Sequence, residues 1–317
     1  MEKNNYCLIT NDLETTSLWN HRLSDKTGEV VFKEGMPMLL EAYEKYGVKA
    51  TFFFTGHIAA LFPDIVRMVI PYGHEVGCHG LTHEPDKAFD VMTCEDQVDH
   101  LTRAKDILEG ICNREVISFR APALRVNRYT PQALVRTGFR IDSSVAPQRA
   151  DMFLSFGSLE KMKWLLAPRT PYYTRDNNLA RRGLSSIFEI PLNSFLLPYA
   201  GNVMRVYPFA ARIVRTALNL EASVTGRPLV FIIHPNELID EEVEISTANR
   251  RAKNYLAYLL GDKLRYRLKL RNLGKEALPL LIDQLEFIKR KNYTFVTCKE
   301  YYEISINRLH ETAGKKG

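Results

Sequence analysis

Two histidines and two acidic residues have the spacing of a metal-binding group. His79 and His83 are four residues apart and follow a short predicted strand, so both imidazoles can point to one side of a tight turn. Asp12 and Glu14 follow the first predicted strand and are two residues apart, which places both carboxylates on the same side of an extended chain. One carboxylate can then complete a metal site while the other acts as a base. Taken alone, each pair is more commonly a set of polar surface residues, so the prediction depends on their meeting in the fold.

Three further residues end predicted strands and carry side chains suited to catalysis. Arg120 follows Phe119 at the end of one strand, Asp142 ends the next, and His234 ends the apolar run from Leu229 to Ile233. A histidine that completes a buried strand requires a hydrogen-bond partner, which makes it a better functional candidate than a surface histidine. In a parallel barrel the carboxyl ends of the strands share one face. We therefore expect these three residues to join the two pairs in a single active site.

Short apolar runs alternate with longer amphipathic stretches, a pattern typical of βα units around a parallel sheet. The predicted strands are Tyr6 to Thr10, Lys49 to Thr55, His74 to Cys78, Val116 to Phe119, Phe139 to Ile141, Ile187 to Ile190, Leu229 to Ile233 and Tyr293 to Thr297. The predicted helices are Met36 to Tyr46, Ile58 to Ile70, Thr93 to Ile111, Pro131 to Thr137, Pro208 to Ala222 and Lys275 to Lys291. Because no linker separates the units, residues 1–317 are predicted to form one α/β domain, a distorted (β/α)7-type barrel. Its extra length falls in loop insertions around residues 148–186 and 240–274.

Six segments of the chain resemble those of a known family and occur in the same order. They are Ala50 to Gly56, Gly73 to His83, Phe119 to Pro122, Ile141 to Ser144, Glu189 to Pro191 and His234 to Glu237. The family is the polysaccharide deacetylases of the NodB homology type, also called carbohydrate esterase family 4. The resemblance implies a distorted (β/α) barrel of about seven units and a divalent metal, usually zinc, held by one carboxylate and two histidines. It also implies a hydrolase that acts on carbon–nitrogen bonds other than peptide bonds.

The matching positions give roles to most of the predicted site residues. By this resemblance, His79 and His83 are metal ligands and Asp12 is the catalytic base. Arg120 is the residue that orients the base, and His234 is the catalytic acid.

Two motifs depart from the family's common form. The first motif usually reads Thr-Phe-Asp-Asp, whereas Thr10 to Glu14 reads Thr-Asn-Asp-Leu-Glu, closer to the Val-Asp-Val-Glu variant of deacetylases from exopolysaccharide clusters. Leu13 cannot bind a metal, so Glu14 takes the ligand role in this interpretation. The arginine motif places Ala123 where the family has an aromatic residue, although a backbone N–H there can still stabilise an oxyanion. Asp142 either positions this network or caps its strand.

The predicted activity is metal-dependent removal of an N-acyl group, an N-acetyl group foremost, from an amino sugar. The sugar would belong to a polysaccharide, a glycolipid or a nucleotide-sugar precursor. One alternative is a deformylase of a lipid-linked formamido sugar, or another hydrolase of non-peptide amides, because loops and not the motif select the substrate. A second alternative is a catalytically weak glycan-binding pseudoenzyme, because Leu13 and Ala123 depart from the family pattern.

The composition is that of a globular protein, and its positive charge is concentrated in one segment. The chain has 45% hydrophobic and 25% charged residues, and 43 basic against 37 acidic residues leave a net charge of +6, which excludes a disordered chain. Residues 250–271 contain eight basic residues and one acidic residue. Leu256, Leu260, Leu264 and Leu268 recur every four residues, which predicts an amphipathic helix able to lie on an anionic membrane.

The basic segment has two other interpretations. An ordinary helix packed on the barrel with a solvated charged face is the commoner outcome of such a pattern. A nucleic-acid partner is not expected, because no nucleic-acid recognition module accompanies the cluster.

The expected location is the cytoplasm, with peripheral contact at the inner face of a membrane as a further expectation. The first residues lack the apolar region of a signal peptide, and no stretch reaches the ~18 apolar residues of a membrane span. The five cysteines are widely spaced and contain no Cys-x-x-Cys pair, as in a reducing compartment.

Overall fold

The computed structural model describes residues 5–15, 23–148, 164–240, 268 and 270–314. The strands in these residues are β1 (Asn5–Leu13), β2 (Ala50–Phe54), β3 (Glu75–Cys78), β4 (Ser118–Phe119), β5 (Ile141–Asp142), β6 (Tyr172–Arg175), β7 (Asn178–Arg182), β8 (Phe188–Glu189), β9 (Ser194–Phe195), β10 (Leu197–Pro198), β11 (Leu229–Ile233) and β12 (Tyr293–Phe295). The helices are α1 (Asp25–Val30), α2 (Met36–Tyr46), α3 (Gly56–Leu61), α4 (Pro63–Arg67), α5 (Cys94–Cys112), α6 (Thr130–Arg136), α7 (Gly201–Val206), α8 (Pro208–Thr225), α9 (Ala277–Arg290) and α10 (Cys298–Gly314). A π-helical turn, Val31–Gly35, connects α1 to α2.

Seven parallel strands form the centre of the main sheet within the described residues, in the order β11-β1-β2-β3-β4-β5-β8. β12 pairs in parallel with the first residues of β1. Two contacts bring the ends of this series together. The Asn193 side chain accepts a hydrogen bond from the Val230 N–H at 3.1 Å, and Ala200 bridges to Ile232. The predicted α/β fold, a distorted (β/α)7-type barrel, is confirmed.

All eight predicted strands are present, and their carboxyl ends lie close to the predicted positions. β11 coincides with the predicted run from Leu229 to Ile233. β4 has two residues instead of the predicted four, and β5 has two instead of three, ending one residue later than predicted. The carboxyl ends of β1, β3, β4, β5 and β11 therefore meet along one edge of the sheet, which is the arrangement that a shared site requires.

Several elements differ from the prediction, including the helices Gly201–Val206 and Cys298–Gly314, which were not predicted. Residues 172–182, inside the predicted loop insertion at 148–186, form the hairpin of β6 and β7, and β6 pairs antiparallel with β8. The single helix predicted over residues 58–70 is divided into α3 and α4. The cause is Pro63, which lacks a backbone N–H donor and occupies the first turn of α4. The unpredicted helix α1 begins at Ser24, whose side chain caps it.

The core lies between the curled sheet and the helices around it. β2 is buried along its whole length, as is typical of a parallel strand covered on both faces. Phe52 contacts Tyr43 of α2 on the helix side. Phe53 lies on the opposite side of the strand, where its ring packs against the guanidinium of Arg120. β2 therefore fills both the helix layer and the interior of the barrel.

The predicted basic helix at residues 250–271 lies almost entirely outside the described residues. The structure describes Leu268, Leu270 and Arg271 of that segment, and the Arg271 Nη1 donates to the backbone oxygen of Val206 at 3.1 Å. Residues 149–163 of the other predicted insertion also lie outside the described range. Among the described helices, none combines the length and the apolar character needed to cross a bilayer.

The start of α5 gives a test of local stability. The Thr93 Oγ1 accepts from the Asp96 N–H at 3.2 Å, and the Asp96 Oδ2 accepts from the Thr93 N–H at 3.4 Å, which together form a capping box. We expect Thr93→Ala to lower the free energy of unfolding by about 1 kcal/mol, because the helix loses its side-chain acceptor. Urea denaturation measures the change. Thr93→Ser is the control, and an alanine variant as stable as the serine variant would contradict the cap.

Candidate active site

The end of β1 presents two carboxylates to one side of the sheet. Successive side chains of a strand face opposite sides. The Asn11 Oδ1 accepts from the Tyr43 hydroxyl of α2 at 2.7 Å, and Leu13, on the same side, is fully buried. Asp12 and Glu14 face the other way, toward the histidines that follow β3. The extended strand thus separates the buried leucine from the two acidic residues.

His79 and His83 are held on either side of a tight turn. The His79 Nδ1 lies 2.8 Å from the backbone oxygen of Arg120, a contact that suits an Nδ1–H donor and leaves Nε2 facing the site. Gly80 has a φ of +75°, and a Cβ there would lie 3.1 Å from the His100 Nε2. Glycine therefore allows the chain to turn between the two histidines.

Glu14, His79 and His83 form what we call the metal cluster, because one ligand atom from each residue lies within 4.8 Å of the others. The Glu14 Oε2 is 2.9 Å from the His83 Nε2, and no other donor reaches this buried oxygen within the described part of the chain. A buried carboxylate needs compensating partners, and a cation shared with the two imidazoles would supply one. One carboxylate and two histidines are suitable zinc ligands. The three residues therefore fit a divalent metal.

The surroundings of the metal cluster give two of its three residues the protonation states of metal ligands. Burial alone would raise the pKa of Glu14, but His83 and His79 lower it below its usual value. Burial lowers the pKa of His79, which keeps this imidazole neutral. Burial also acts to lower the pKa of His83, but the Glu14 carboxylate outweighs it and raises that pKa. Glu14 and His79 thus have the forms that a metal requires, whereas His83 would release a proton on metal binding.

Arg120 is completely buried, and its donors point at acceptors from several strand ends. Its Nη1 donates to the Asp12 Oδ1 at 2.8 Å and to the Thr10 Oγ1 at 2.9 Å. Its Nε and Nη2 donate to the backbone oxygen and the hydroxyl of Ser143, each at 2.8 Å. The guanidinium carbon lies 4.4 Å from the centroid of the Phe53 ring. These contacts leave Arg120 a single orientation, in which it fixes one oxygen of Asp12.

The second oxygen of Asp12 lies between two imidazoles. The Asp12 Oδ2 is 3.9 Å from the His79 Nε2 and 4.0 Å from the His234 Nε2. Burial opposes ionisation of Asp12, but Arg120 and the two histidines lower its pKa below the usual value. Asp12 is therefore a carboxylate at neutral pH, with one oxygen fixed and the other directed into the site.

Glu237 is a functional candidate that the sequence analysis did not assign. Its Oε1 accepts from the His234 N–H at 3.2 Å and lies 3.3 Å from the His234 Nδ1. Its Oε2 accepts from the Arg205 Nε at 2.6 Å, and both Glu237 and Arg205 are buried. Burial would lower the pKa of His234, but Glu237 and Asp12 raise it to about 9. His234 is therefore protonated at neutral pH.

A signal for Glu237 is present in the sequence. Glu237 stands three residues after a strand-ending histidine, in a short turn that begins at Pro235, which is the position from which an acidic side chain can reach back to the turn's first N–H. The contribution of Gly201 could be seen only in the fold, because a Cβ there would lie 2.5 Å from the Glu237 Oε1.

Asp142 meets a second buried acid and lies outside the metal cluster. Asp142 and Glu189 occupy paired positions on β5 and β8, and both are fully buried. The Ser144 hydroxyl donates to the Asp142 Oδ1 at 2.6 Å and accepts from the Ala121 N–H at 2.9 Å. Of the two interpretations of Asp142, the contacts therefore favour positioning, because this chain of bonds supports the loop that follows Arg120.

The surroundings of Glu189 favour its protonated form. Its Oε1 accepts from the Val145 N–H at 3.1 Å, while its Oε2 finds no donor among the described residues. Burial raises the pKa of Glu189 well above its usual value, and the negative charge of Asp142 adds to this effect. A proton on Glu189 gives its second oxygen a hydrogen bond to Asp142, so the pair of acids shares one negative charge.

Ala123 lies at an exposed turn in the loop after β4. Its φ is +51°, and the following residue, Leu124, also has a positive φ of +54°. Backbone conformations of this kind cost about 1–3 kcal/mol each for residues other than glycine and are concentrated at functional sites. The structure thus places Ala123 on the loop that begins at Arg120, at a sharp turn of the backbone.

The sequence match to a known family agrees with the motifs. Residues 25–141 match a family described as polysaccharide deacetylase. This range includes the histidine pair and the arginine motif and ends before His234. Over 111 residues, or 35% of this chain, the sequence is 32% identical to a peptidoglycan deacetylase of Helicobacter pylori. The alignment covers 37% of that relative, so the chain spans little more than a third of its length. The predicted resemblance is confirmed.

Two solved structures share the fold. A candidate polysaccharide deacetylase from Pseudomonas aeruginosa has a TM-score of 0.57 and 13% identity, with 94% of this chain and 89% of that chain covered. A second candidate polysaccharide deacetylase, from Mycobacterium smegmatis, has a TM-score of 0.52 and 20% identity, with 93% and 94% covered. At these identities the likeness establishes the distorted barrel and nothing finer.

The protonated state of Glu189 can be tested by an isosteric change. Below the unfolded pKa of glutamate, where the acid is protonated in both states, we expect Glu189→Gln to change the free energy of unfolding by less than about 1 kcal/mol, because the amide accepts from Val145 and donates to Asp142 as the protonated acid does. Glu189→Ala should cost about 1–3 kcal/mol, because Asp142 then loses its donor. Denaturant titrations measure both values.

The same two variants predict a dependence on pH. The folded protein holds the Glu189 proton more tightly than the unfolded chain does. This stabilisation is complete below the unfolded pKa and is lost as the pH rises toward the folded pKa. Glu189→Gln should therefore gain stability relative to the natural protein as the pH rises above the unfolded pKa of the glutamate. A glutamine variant as unstable as the alanine variant at every pH would show that Glu189 is ionised.

Proposed function

We propose that the chain is a metal-dependent hydrolase that removes an N-acyl group, an N-acetyl group foremost, from an amino sugar. The sugar would belong to a polysaccharide, a glycolipid or a nucleotide-sugar precursor. The observation that carries the proposal is the position of the metal cluster next to the Asp12–Arg120 ion pair and His234. The match of residues 25–141 to the polysaccharide deacetylase family supports it. We propose zinc as the metal, because it prefers this set of nitrogen and oxygen ligands.

Asp12 is proposed as the general base. A divalent cation held by Glu14, His79 and His83 would polarise the acyl carbonyl and lower the pKa of a water molecule beside Asp12. The Asp12 Oδ2 faces the metal cluster and can accept the proton of that water as it attacks the carbonyl carbon. Arg120 holds the other oxygen and keeps the carboxylate ionised until it receives the proton.

His234 is proposed as the general acid. Its raised pKa keeps a proton available, and its Nε2 lies 4.0 Å from the Asp12 Oδ2, within reach of an amine leaving the same carbon atom. The side chains of His234 and His83 are 32% and 21% exposed, whereas that of Asp12 is 4% exposed. The substrate would therefore approach from the side of the two open histidines.

The departures from the family pattern do not remove a catalytic group. Glu14 supplies the carboxylate that Leu13 cannot, and its oxygen lies among the histidines. Ala123 lacks an aromatic ring but keeps the backbone N–H, which we propose as a donor to the oxyanion. These residues favour an active hydrolase over the pseudoenzyme alternative.

The metal cluster predicts the metal content of the protein. We expect about one zinc or similar ion per chain by elemental analysis after dialysis, and His83→Ala should lose most of it because the cluster loses one of three ligands. His57→Ala is the matched control, since His57 pairs with Asp25 outside the cluster and should retain the metal. Natural protein that binds no metal in saturating zinc would rule out the mechanism. Acetate or formate release from N-acetylated and N-formylated sugars then distinguishes deacetylase from deformylase.

The contact between His234 and Glu237 predicts the alkaline side of the pH profile. A general acid must be protonated, so the turnover rate should fall as the pH rises through the pKa of His234. Glu237→Gln removes the charge that raises this pKa, so the fall should begin at lower pH and the rate at neutral pH should drop by about 10–100-fold.

Glu286→Gln is the control for the pH profile, because it removes an exposed carboxylate that contacts Tyr46 far from His234 in the sequence. Thermal unfolding establishes that both variants are folded. A Glu237→Gln enzyme whose alkaline limb coincides with that of the control would show that Glu237 does not support the acid.

A further inference from the structure

A concave groove beside the loop of Ala123 has no role in the mechanism above. Its cavity of about 470 Å³ lies among three parts of the chain: Asp90, residues 124–129 after β4, and residues 177–181 of the β6–β7 hairpin, with Trp164 completing the wall. This volume is within the range of about 300–1,000 Å³ that is usual for small-molecule sites. We call it the arginine groove, after Arg125, Arg128 and Arg181 in its lining.

The arginine groove carries an excess of positive charge. Arg125 pairs with Asp90, whose Oδ2 lies 2.7 Å from the arginine Nε. Neither Arg128 nor Arg181 forms an ion pair with a carboxylate in the part of the chain that the structure describes. Three positive charges against one negative therefore leave +2 in the cavity lining. Guanidinium groups in a concave site are suited to bind the paired oxygens of a phosphate.

One of these arginines is already fixed in place. The Arg128 Nη2 donates to the Tyr129 hydroxyl at 2.6 Å, and the guanidinium carbon lies 4.8 Å from the centroid of that ring. A guanidinium held against a ring loses less freedom when it binds an anion than an unsupported one does. The rest of the wall combines the apolar side chains of Leu124, Val126 and Leu179 with three asparagines, so it can contact both the body and the hydroxyl groups of an organic ligand.

The groove is built from the loops that hold the active site. Among the residues that line the groove, Leu124 is the first after β4. It directly follows Ala123, and Ala123 and Leu124 both have positive φ values. Asp90 belongs to the loop that also carries His83 after β3. A molecule whose amide lies at the metal cluster can therefore extend along these two loops toward the groove.

A second cavity, of about 480 Å³, continues the groove along α6 and shares Arg128, Tyr129 and Asn177 with it. This cavity adds Asp176, so its charges balance. Counted together, the two cavities have three arginines against two aspartates, so their net charge is +1. Because Arg125 pairs with Asp90, the unbalanced positive charge lies at Arg181.

We propose that the arginine groove binds the phosphate or diphosphate group of a phosphate-linked amino-sugar substrate. This inference deepens the proposed function and rests on it, because the groove selects the substrate whose amide the metal cluster would hydrolyse. The shared chemistry is a phosphate ester of an N-acylated sugar, which a nucleotide or a membrane lipid can supply.

Binding tests the groove independently of catalysis. Calorimetry would measure binding of inorganic pyrophosphate and of a uridine-diphosphate-linked N-acetylhexosamine, with the same N-acetylhexosamine lacking phosphate for comparison. We expect Arg181→Gln and Arg128→Gln each to weaken binding of the two phosphate compounds by about 10-fold, through loss of one charge-assisted contact. Arg182→Gln is the matched control. Arg182 is the next exposed residue of β7, but it contacts Thr170 and does not line the groove, so binding should be unchanged.

The outcomes separate the two proposals. Phosphate binding in the arginine groove would be contradicted if Arg181→Gln and Arg182→Gln had equal effects. It would also be contradicted if the natural protein bound neither phosphate compound. The two proposals would part if pyrophosphate binding depended on Arg181 but no substrate amide were hydrolysed. That result would support phosphate binding in the arginine groove and contradict the proposed function. Assays with nucleotide-linked and polyprenyl-phosphate-linked N-acetylhexosamine then identify the source, since Arg181→Gln should reduce turnover of that substrate and spare an unphosphorylated chitooligosaccharide. Equal losses on both substrates would show a general glycan subsite and contradict the phosphate proposal.

Discussion

The buried guanidinium of Arg120 is the constraint on which the candidate site depends. A permanent charge inside a barrel must meet acceptors and an opposite charge, because an unpaired buried charge costs more than a folded domain tolerates. Thr10, Asp12 and Ser143 supply those acceptors from the ends of two strands, β1 and β5, and Phe53 covers the guanidinium face. The contact that makes the interior stable also keeps Asp12 ionised. Stability of the barrel and readiness of the base therefore rest on the same ion pair.

A second buried arginine, on the other side of the site, helps to keep a group protonated, whereas Arg120 keeps one ionised. Arg205 fixes Glu237, and Glu237 in turn favours the protonated form of His234. The Asp12 carboxylate, paired with Arg120, faces the site directly. The Glu237 carboxylate, paired with Arg205, acts on the site through His234. The two pairs hold an ionised carboxylate and a charged imidazole 4.0 Å apart. Environments that separate the pKa values of neighbouring groups in this way are typical of sites that combine acid and base chemistry.

The sequence was sufficient for what depends on periodicity and chain position. Strand ends and the spacing of Asp12 and Glu14 follow from local patterns, so the edge of the sheet that gathers the charged residues could be predicted. Pairings between strands could not be predicted from local patterns. Glu189 meets Asp142 only because β8 lies beside β5 in a register that pairs these two residues. The β6–β7 hairpin was missed because its strands are short and partly exposed, with a weak apolar alternation. Glu237 had a local signal, but its role became visible only once Arg205 was placed behind it.

Leu13 has a consequence for how the two forms of the first motif can interconvert. β1 remains paired with β2 through Leu13, which faces the helix layer while Glu14 reaches the histidines with its longer side chain. An aspartate at position 13 would lie among apolar residues instead of beside the metal cluster, and would carry the desolvation cost of a buried carboxyl group. On this backbone, a carboxylate at position 13 could serve the metal cluster only if β1 stopped pairing with β2 before that residue. Replacing Leu13 alone would damage the core, and replacing Glu14 alone would remove the carboxylate of the cluster.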